Sequence, residues 1–304
     1  MNVEAIKTED LSKTYSGKQP VQALKGVSLS IKKGELFTLL GLNGAGKTTF
    51  LKIVSTQLSP TKGSAYVLGS EVMAQANEVK KHIAVVPQDV LTYGNLTPWE
   101  YCYYFSLLRG KSKHETEKVS QKALKAVELW DLRNRRCLEL SGGEKKRAII
   151  ATALASDAAI LLLDEPTSGL DAVARRKVWV ALRELVEQGT TILLTTHMME
   201  EAEILSDRLA IIDKGSVIAE GTPEEIKHLA KEKFRVVIEG NAHDLNLEGN
   251  SRTKLGSKEI VYVPDEDQAL ELVKTSLKKG VKAEAARVTL EDVFVKLVGR
   301  GEEA

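Results

Sequence analysis

A glycine-rich segment near residue 45 has the composition and spacing of a phosphate-binding site. Residues Gly41–Thr49, here called the phosphate loop, contain the pattern G-x-x-x-x-G-K-[ST] followed by a second threonine. Glycines allow backbone N–H groups to turn inward around an anion, and the following helix presents its positive N-terminus. Lys47 can reach the terminal phosphates, and the Thr48 hydroxyl can ligate Mg²⁺. The predicted phosphate-binding residues are Gly41, Asn43, Gly44, Ala45, Gly46, Lys47, Thr48 and Thr49.

Two adjacent carboxylates end an apolar run and complete the requirements of a nucleoside triphosphatase. Ile160–Leu163 is followed by Asp164 and Glu165. A triphosphatase needs one carboxylate for the metal ion and one group that accepts a proton from the attacking water. We predict that Asp164 holds Mg²⁺ through its water shell and that Glu165 is the general base. Alone, the pair could be a solvated acidic turn before Pro166, but the phosphate loop favours the catalytic interpretation.

A pair of glycines opens another predicted helix. Within Leu140–Glu144, Ser141 has the position of an N-cap and Glu144 completes a capping box. The capping box leaves Gly142 and Gly143 unexplained, because glycine lowers helix stability. Glycines at a helix N-terminus instead suit close approach of the backbone to an anionic group. Ser141, Gly142 and Gly143 are therefore predicted to form a second anion site.

The elements that position these groups alternate between strands and helices. Continuous apolar runs at Leu36–Leu40, Ala158–Leu163 and Thr191–Thr195 are typical of strands buried on both faces of a mainly parallel sheet. The predicted helices are Thr48–Ser55, Glu144–Ala155 and Ala172–Gln188. This alternation favours an α/β layered domain. The strand before the phosphate loop and the helix after it argue against a chance glycine-rich turn.

The sequence is predicted to form two domains. Thr97–Leu138 contains no convincing strand and belongs to a helical insert at about residues 90–155. Arg208–Asp213 and Ser216–Ala219 are predicted to pair as strands and to close a first domain of residues 1–232. Residues 233–304 are predicted to form a small α+β domain. Its strands are Phe234–Glu239, Glu259–Val263 and Val281–Val288, and its helices are Asp265–Lys279 and a segment capped by Thr289.

Composition and charge exclude several function classes. The 304 residues correspond to about two domains, and 43 Lys+Arg against 42 Asp+Glu give a formal net charge of +1. This balance removes the electrostatic reason to expect a nucleic acid partner. Cys102 and Cys137 form no disulfide framework and lack metal-ligand spacing. No apolar run reaches the ~20 residues of a membrane helix, and Met1–Asp10 lacks a secretory signal, so we expect a soluble, cytoplasmic protein.

Together these motifs resemble those of the nucleotide-binding subunit of an ABC (ATP-binding cassette) transporter. The resemblance covers nearly all of residues 4–230, in the order and spacing of the family. The matching positions are Tyr15, Gly41–Thr49, Gln88, Leu140–Glu144, Asp164-Glu165, Ser168–Asp171 and His197. Gln88 or His197 alone would indicate nothing. Seven motifs in register are very specific.

The resemblance implies a role for each matching residue. Tyr15 is implied to stack on the adenine of ATP, while His197 contacts the γ-phosphate and positions the water. Gln88 is implied to sense both Mg²⁺ and the attacking water. The implied catalytic residues are Lys47, Gln88, Glu165 and His197, and the implied metal ligands are Thr48, Gln88 and Asp164. The implied cofactors are therefore ATP and Mg²⁺.

The resemblance also implies partners. The signature segment, Leu140–Glu144, covers the ATP held by a second cassette, so the family works as a head-to-tail dimer with two ATP molecules. Asp171 is implied to brace the opposite subunit's phosphate loop. The dimer can contain two copies of this chain or two different chains. Separate transmembrane permease subunits would hold it on the cytoplasmic face of the cell membrane.

The family fold is a P-loop cassette with a mainly parallel sheet core, an antiparallel N-terminal β part and a helical insert. Thr195–Glu203 and Leu290–Phe294 resemble drug- and polymer-exporting ABC-2 type subunits, which carry a small C-terminal domain and favour export over import. An aromatic cluster in the insert can either dock a membrane subunit or form the core of the insert. Its members are Trp99, Tyr101, Tyr103, Tyr104 and Phe105.

Departures from the family are small, and the alternatives fit less well. Glu144 replaces the more familiar Gln and Thr48 the more frequent Ser, but the catalytic set is intact. A soluble ABC ATPase acting on the ribosome or DNA is disfavoured by the single cassette, the short stretch between Lys47 and Ser141, and the balanced charge. A P-loop kinase or GTPase has no use for the signature segment. A catalytically dead cassette would lack part of the catalytic set.

Overall fold

A computed structural model describes residues 4–89, 94–239 and 251–299. The chain divides into two compact units between Glu220 and Gly221, before the short helix Pro223–Lys227, whereas the boundary predicted from sequence follows this helix. Residues 90–93, where the helical insert is predicted to begin, lie outside the described ranges. Each unit is built on its own sheets and its own apolar core.

The elements up to Gly221 follow the predicted alternation. The strands are β1 (Glu4–Tyr15), β2 (Val21–Lys32), β3 (Leu36–Leu40), β4 (Lys62–Val67), β5 (Ser70–Glu71), β6 (Ile83–Val86), β7 (Ile160–Asp164), β8 (Thr191–Thr196), β9 (Arg208–Asp213) and β10 (Ser216–Gly221). The α-helices are α1 (Lys47–Val54), α2 (Ala76–His82), α3 (Pro98–Leu108), α4 (Lys113–Ala126), α5 (Gly142–Ala155), α6 (Ala172–Glu187) and α7 (Met199–Leu205).

The central sheet has six strands in the order β10-β9-β3-β8-β7-β6, and its strands from β9 to β6 run parallel. All residues of β3, β7 and β8 are buried, as their continuous apolar sequences predict. The register pairs Leu40 with Thr196 and Asp164 with Thr195. Because these pairs lie at the carboxyl ends of the strands, the phosphate loop and the two carboxylates emerge from one edge of the sheet.

A second sheet, β2-β1-β4-β5, is antiparallel throughout. Its inward residues, such as Leu24 and Ile31, share one apolar core with Phe50 and Ile53 of α1 and with Phe37 of the central sheet. This core fixes α1 against both sheets. The prediction of a mainly parallel core with an antiparallel N-terminal β part is confirmed.

The other face of the central sheet packs against helices. The helices α3, α4 and α5 begin with complete capping boxes at Thr97, Ser112 and Ser141.

In the aromatic cluster of the insert, Tyr101 is buried with Cys137 and Leu140, whereas Tyr104 and Phe105 are exposed. The core interpretation therefore holds for Tyr101, and docking of a membrane subunit stays a prediction for the exposed rings. Within the described ranges, every helix is too short or too polar to cross a lipid bilayer.

The second unit is a four-stranded antiparallel sheet, in the order β12-β13-β11-β14, with helices. Its elements are α8 (Pro223–Lys227), β11 (Phe234–Glu239), β12 (Ser251–Leu255), β13 (Lys258–Val263), α9 (Glu266–Lys278), β14 (Lys282–Arg287) and α10 (Leu290–Gly299). The strand β12 was not predicted, because all of its residues are exposed and its sequence lacks apolar alternation.

Asp292, which belongs to the Leu290–Phe294 motif, has a structural role in the second unit. Its carboxylate is 7% exposed and accepts hydrogen bonds from Tyr262 Oη (2.9 Å), Arg235 Nη1 (3.2 Å) and the Thr289 backbone N–H (2.7 Å). Burial, followed by the hydrogen bond to Asp292, raises the pKa of Tyr262 to about 12. The carboxylate therefore joins α10 to β11 and β13.

We predict that Asp292→Ala destabilises the second unit by about 3 kcal/mol, because it leaves a partly buried arginine without its counter-charge. Tyr262→Phe is the matched control and should cost about 1 kcal/mol, because it removes a single hydrogen bond. The measurement is amide hydrogen exchange in β11 and β13. Equal exchange in the two variants would contradict a central role for the carboxylate.

Candidate functional site

The phosphate loop has the backbone conformation that its glycines allow. Gly44 and Gly46 have φ angles of +82° and +112°, and Gly46 is the N-cap of α1. A Cβ atom on Gly41 would overlap the carbonyl oxygen of Ile212, and one on Gly46 would overlap that of Ala23. Glycine is therefore required at Gly41 and Gly46 by backbone contacts, and at Gly46 by its φ angle as well. The loop leaves the N-terminus of α1 facing an anion site.

Lys47 connects the phosphate loop to the carboxylates. Its Nζ donates to the carbonyl oxygens of Gly41 (2.8 Å) and Leu42 (3.1 Å), so the side chain folds back over the loop. The same Nζ lies 3.3 Å from Glu165 Oε1. The side chains of Lys47 and Glu165 are only 4% and 6% exposed. The loop lysine and the predicted general base thus form a buried ion pair.

Asp164 and Glu165 are held by the neighbouring strand β8. Thr195 Oγ1 donates to Asp164 Oδ1 at 2.5 Å, and the Glu165 backbone N–H donates to the carbonyl oxygen (3.0 Å) and Oγ1 (3.2 Å) of Thr195. Glu165 has a φ of +47°, a left-handed conformation that costs a non-glycine residue about 1–3 kcal/mol. The contacts with Thr195 hold this conformation, which turns the chain sharply after β7.

His197 and Tyr15 flank the buried ion pair at more open positions. His197 Nδ1 lies 3.0 Å from Glu165 Oε2, the carboxylate oxygen that does not face Lys47. The Tyr15 hydroxyl lies 3.3 Å from Thr49 Oγ1, and its ring is 40% exposed. Lys47, Glu165 and His197 therefore form one continuous cluster, and Tyr15 contacts the phosphate loop.

The donor set at this edge of the sheet fits Mg²⁺. The Asp164 carboxylate and the Thr48 hydroxyl are hard oxygen donors, the type that Mg²⁺ prefers. Among the described residues, no three His, Cys, Asp or Glu side chains are grouped to hold a metal ion by themselves. A site with few protein ligands matches the usual coordination of Mg²⁺, which takes phosphate oxygens and water as its other ligands.

The remaining predicted site residues lie apart from this cluster. Gln88 is exposed on a bend after β6, and among the described residues no hydrogen bond joins it to Lys47 or Glu165. Ser141 and Gly142 are exposed at the N-terminus of α5, and Gly143 packs beside Leu170. The exposed Asp171 caps α6, where the N–H groups of Ala174 and Val173 lower the pKa of its carboxyl.

Comparison with known proteins shows to which family this site belongs. The family described as "ABC transporter" matches residues 24–168. The chain is 39% identical to the Nod factor export ATP-binding protein I of Rhizobium etli over 305 residues, which cover 99% of this chain and 95% of that protein. The chain belongs to the ABC transporter family. It is an ABC ATPase, so the alternatives of a kinase, a GTPase and a catalytically dead cassette are set aside.

Solved ABC cassettes share the fold. A dimeric post-hydrolysis state of an ATP-binding cassette bound to ADP and Pi is 30% identical, with a TM-score of 0.66, covering 71% of this chain and 98% of that one. A cassette of an ABC transporter complex from Clostridium perfringens is 28% identical, with a TM-score of 0.64, covering 74% of this chain and 91% of that one. The cassette fold thus extends over the first unit.

Three residues of this cassette contact the site but were not predicted to do so. Thr195 holds the Asp164 carboxylate and the backbone N–H of Glu165, and Lys146 donates to the Glu165 carbonyl oxygen. The fully buried Glu201 accepts from Thr167 Oγ1 at 2.6 Å. A weak signal for Lys146 exists in the sequence. It shares a helical face with the apolar Ile150, where a lysine is buried only if it has acceptors.

We predict that Thr195→Val lowers the kcat of ATP hydrolysis about 10-fold and leaves KM within about twofold. The substitution keeps the shape of the strand but removes one hydrogen bond to each carboxylate-bearing residue, and such a bond contributes about 1.5–3 kcal/mol when it involves a charge. Thr191→Val, which removes a buried hydroxyl from the start of the same strand, is the matched control. An equal loss of kcat in the control would show that only stability is affected.

Proposed function

We propose that this chain binds and hydrolyses ATP as the subunit that powers an exporter. The observation that carries this function is the cluster at the ends of β7 and β8, where the buried carboxylate of Glu165 faces two nitrogen-bearing side chains. Glu165 Oε1 lies 3.3 Å from Lys47, and Glu165 Oε2 lies 3.0 Å from His197. The similarity to a Nod factor export protein over nearly the whole chain supports export.

In this proposal the phosphate loop holds the nucleotide. The loop amides, the N-terminus of α1 and Lys47 bind the β- and γ-phosphates, and Tyr15 stacks on adenine. Thr48, Asp164 and Gln88 hold Mg²⁺, which when bound neutralises charge on the phosphate oxygens. Gln88 would have to approach from its exposed bend after β6. The alternative of a soluble ABC ATPase acting on the ribosome or DNA has no support from these comparisons.

Hydrolysis follows from the placement of Glu165. The carboxylate accepts a proton from a water molecule as its oxygen attacks the γ-phosphorus, and the bond to the β–γ bridging oxygen breaks, so ADP leaves with the electron pair. His197, beside the same carboxylate, positions that water and contacts the γ-phosphate. Burial of Glu165 limits the access of bulk solvent to its carboxylate.

The exposed anion site at α5 supports the dimer. Ser141 and Gly142 face outward, and a Cβ atom on Gly142 would meet nothing within 4 Å, so a phosphate can approach this helix N-terminus closely. Asp171, which caps the nearby helix α6, is exposed as well. These groups would contact the ATP and the phosphate loop of a second cassette, whether an identical or a different chain. A related cassette was solved as a dimer.

Coupling to transport requires transmembrane permease subunits, which would place the chain on the cytoplasmic face of a membrane. The exposed part of the insert supports such a contact. Tyr104, Phe105 and Leu108 expose apolar surface on α3, at 47%, 43% and 82%. Exposed aromatic and apolar side chains of this kind are enriched at protein interfaces. One solved relative is a cassette from a transporter complex.

Two substitutions separate binding from hydrolysis. Lys47→Ala should weaken ATP binding about 100-fold, because it removes a charged donor from the phosphates. Glu165→Gln should preserve or tighten binding, since a carboxylate that competes for Lys47 is neutralised, while turnover falls about 10²–10⁴-fold. Equilibrium ATP binding and phosphate release are the measurements. Equal losses of affinity in both variants would contradict these roles.

Dimerisation is tested in the Glu165→Gln background. With ATP, sedimentation equilibrium should give twice the chain mass of 33.3 kDa, and with ADP it should give the mass of one chain. Adding Ser141→Arg should prevent the dimer by placing bulk at the signature segment. Ser112→Arg, which alters the equivalent cap of α4, is the control and should still dimerise. A strictly monomeric protein with ATP would rule out a dimer of two identical chains.

A further inference from the structure

Lys146 is a buried lysine between the signature helix and the catalytic carboxylate. It lies on α5 about one turn after Ser141 and is 7% exposed. Its Nζ donates to the carbonyl oxygens of Glu165 (2.5 Å) and Ser168 (3.1 Å). These carbonyls belong to the turn Glu165–Ser168, here called the catalytic turn. A helix that carries one anion site is thus bonded directly to the main chain of the predicted general base.

The catalytic turn needs such support, because its backbone is strained. Glu165 adopts a φ of +47°, and its N–H is already held by Thr195 on the strand side. On another side, Thr167 Oγ1 donates to Glu201, whose carboxylate also accepts from Trp179 Nε1 at 2.9 Å. Lys146 holds the carbonyl side of the same turn. Removing it would free the peptide that sets the direction of the Glu165 side chain.

Maintaining a buried ammonium at this place costs free energy. Burial lowers the pKa of Lys146, and the nearby carboxylates of Glu165, Glu201 and Asp164 act in the opposite direction. An apolar residue would pack into the same helix face without this desolvation cost. The lysine is therefore better explained by its two carbonyl acceptors than by packing alone.

We propose that Lys146 is a positioning residue for hydrolysis. It fixes the main chain of Glu165 so that the carboxylate remains between Lys47 and His197. It does not contact the nucleotide held by its own phosphate loop, so its contribution is to catalysis and not to ATP affinity. Misplacing a catalytic group by about 1 Å can reduce the rate of reaction about 100-fold.

In the dimer, which rests on the proposed function, the same residue has a second consequence. Ser141 and Gly142 of one chain would contact the ATP of the partner, and Lys146 on the same helix would transmit that contact to its own Glu165. Lys146 would then couple the two ATP sites. Positive cooperativity of hydrolysis would depend on it.

The central variant is Lys146→Met, which keeps the length and apolar stem of the side chain but removes its donors. We expect kcat to fall about 10- to 100-fold, with KM and the dissociation constant for a non-hydrolysable ATP analogue within about twofold of wild type. Lys146→Arg keeps the donors and should recover most of the loss. Lys111→Met, which removes another poorly exposed lysine and its bond to Asp157, should leave kcat unchanged.

Hydrogen exchange tests positioning without requiring activity. Amides of the catalytic turn should exchange faster in Lys146→Met than in wild type, Lys146→Arg or Lys111→Met. The proposal would be overturned if Lys146→Met left both exchange and kcat unchanged. It would also be overturned if the kcat of Lys146→Arg were as low as that of Lys146→Met. If wild-type protein releases no phosphate, the proposed function fails, and exchange still decides whether Lys146 holds the turn.

The Hill coefficient of ATP hydrolysis tests whether Lys146 couples the two ATP sites. It should exceed 1 in wild type and Lys111→Met and fall to about 1 in Lys146→Met. A Hill coefficient of 1 in wild type would refute coupling. A coefficient that stays above 1 in Lys146→Met while kcat falls would also refute it, and Lys146 would then act only within its own ATP site.

Discussion

The buried ion pair between Lys47 and Glu165 is the interaction on which the site depends. Its two members come from different parts of the chain, and each is less than a tenth exposed. Burying two charges is costly unless geometry and additional hydrogen bonds compensate. Here Lys47 has two carbonyl acceptors and Glu165 has His197 at its second oxygen. The ion pair is therefore favourable only if the phosphate loop, β7 and β8 keep their relative positions.

The parallel sheet provides that constraint. Since β3, β8 and β7 are neighbours in register, the residues that follow them emerge side by side, and their buried side chains prevent slippage. The Gly41 N–H donates to the Thr196 carbonyl oxygen at 3.2 Å, which joins the phosphate loop to the strand before His197. The apolar core thus has a chemical consequence, because it sets the separation between the phosphate loop and the carboxylates.

The sequence predicted this arrangement where periodicity and motif spacing were strong. The buried runs of β3, β7 and β8 and the predicted helices that correspond to α1, α5 and α6 agree with the structure within a few residues. β12 escaped prediction because its residues are polar and exposed. The roles of Thr195, Lys146 and Glu201 were not predicted, because their contacts join residues that are distant in the chain. No local sequence pattern indicates which polar side chain is buried. Motifs identify the reacting groups, but the residues that orient these groups can be identified only from the tertiary structure.

The two predicted anion sites differ in their surroundings. The phosphate loop and its carboxylates are buried and bonded to one another, whereas Ser141 and Asp171 are exposed caps whose bonds stay within their own helices. An exposed site of this kind can respond to a second molecule, while the buried one has little freedom except through its main chain. Lys146 contacts that main chain from the helix that carries the exposed site. Under the proposal for Lys146, a shift of the helix would therefore reach the main chain of Glu165 directly.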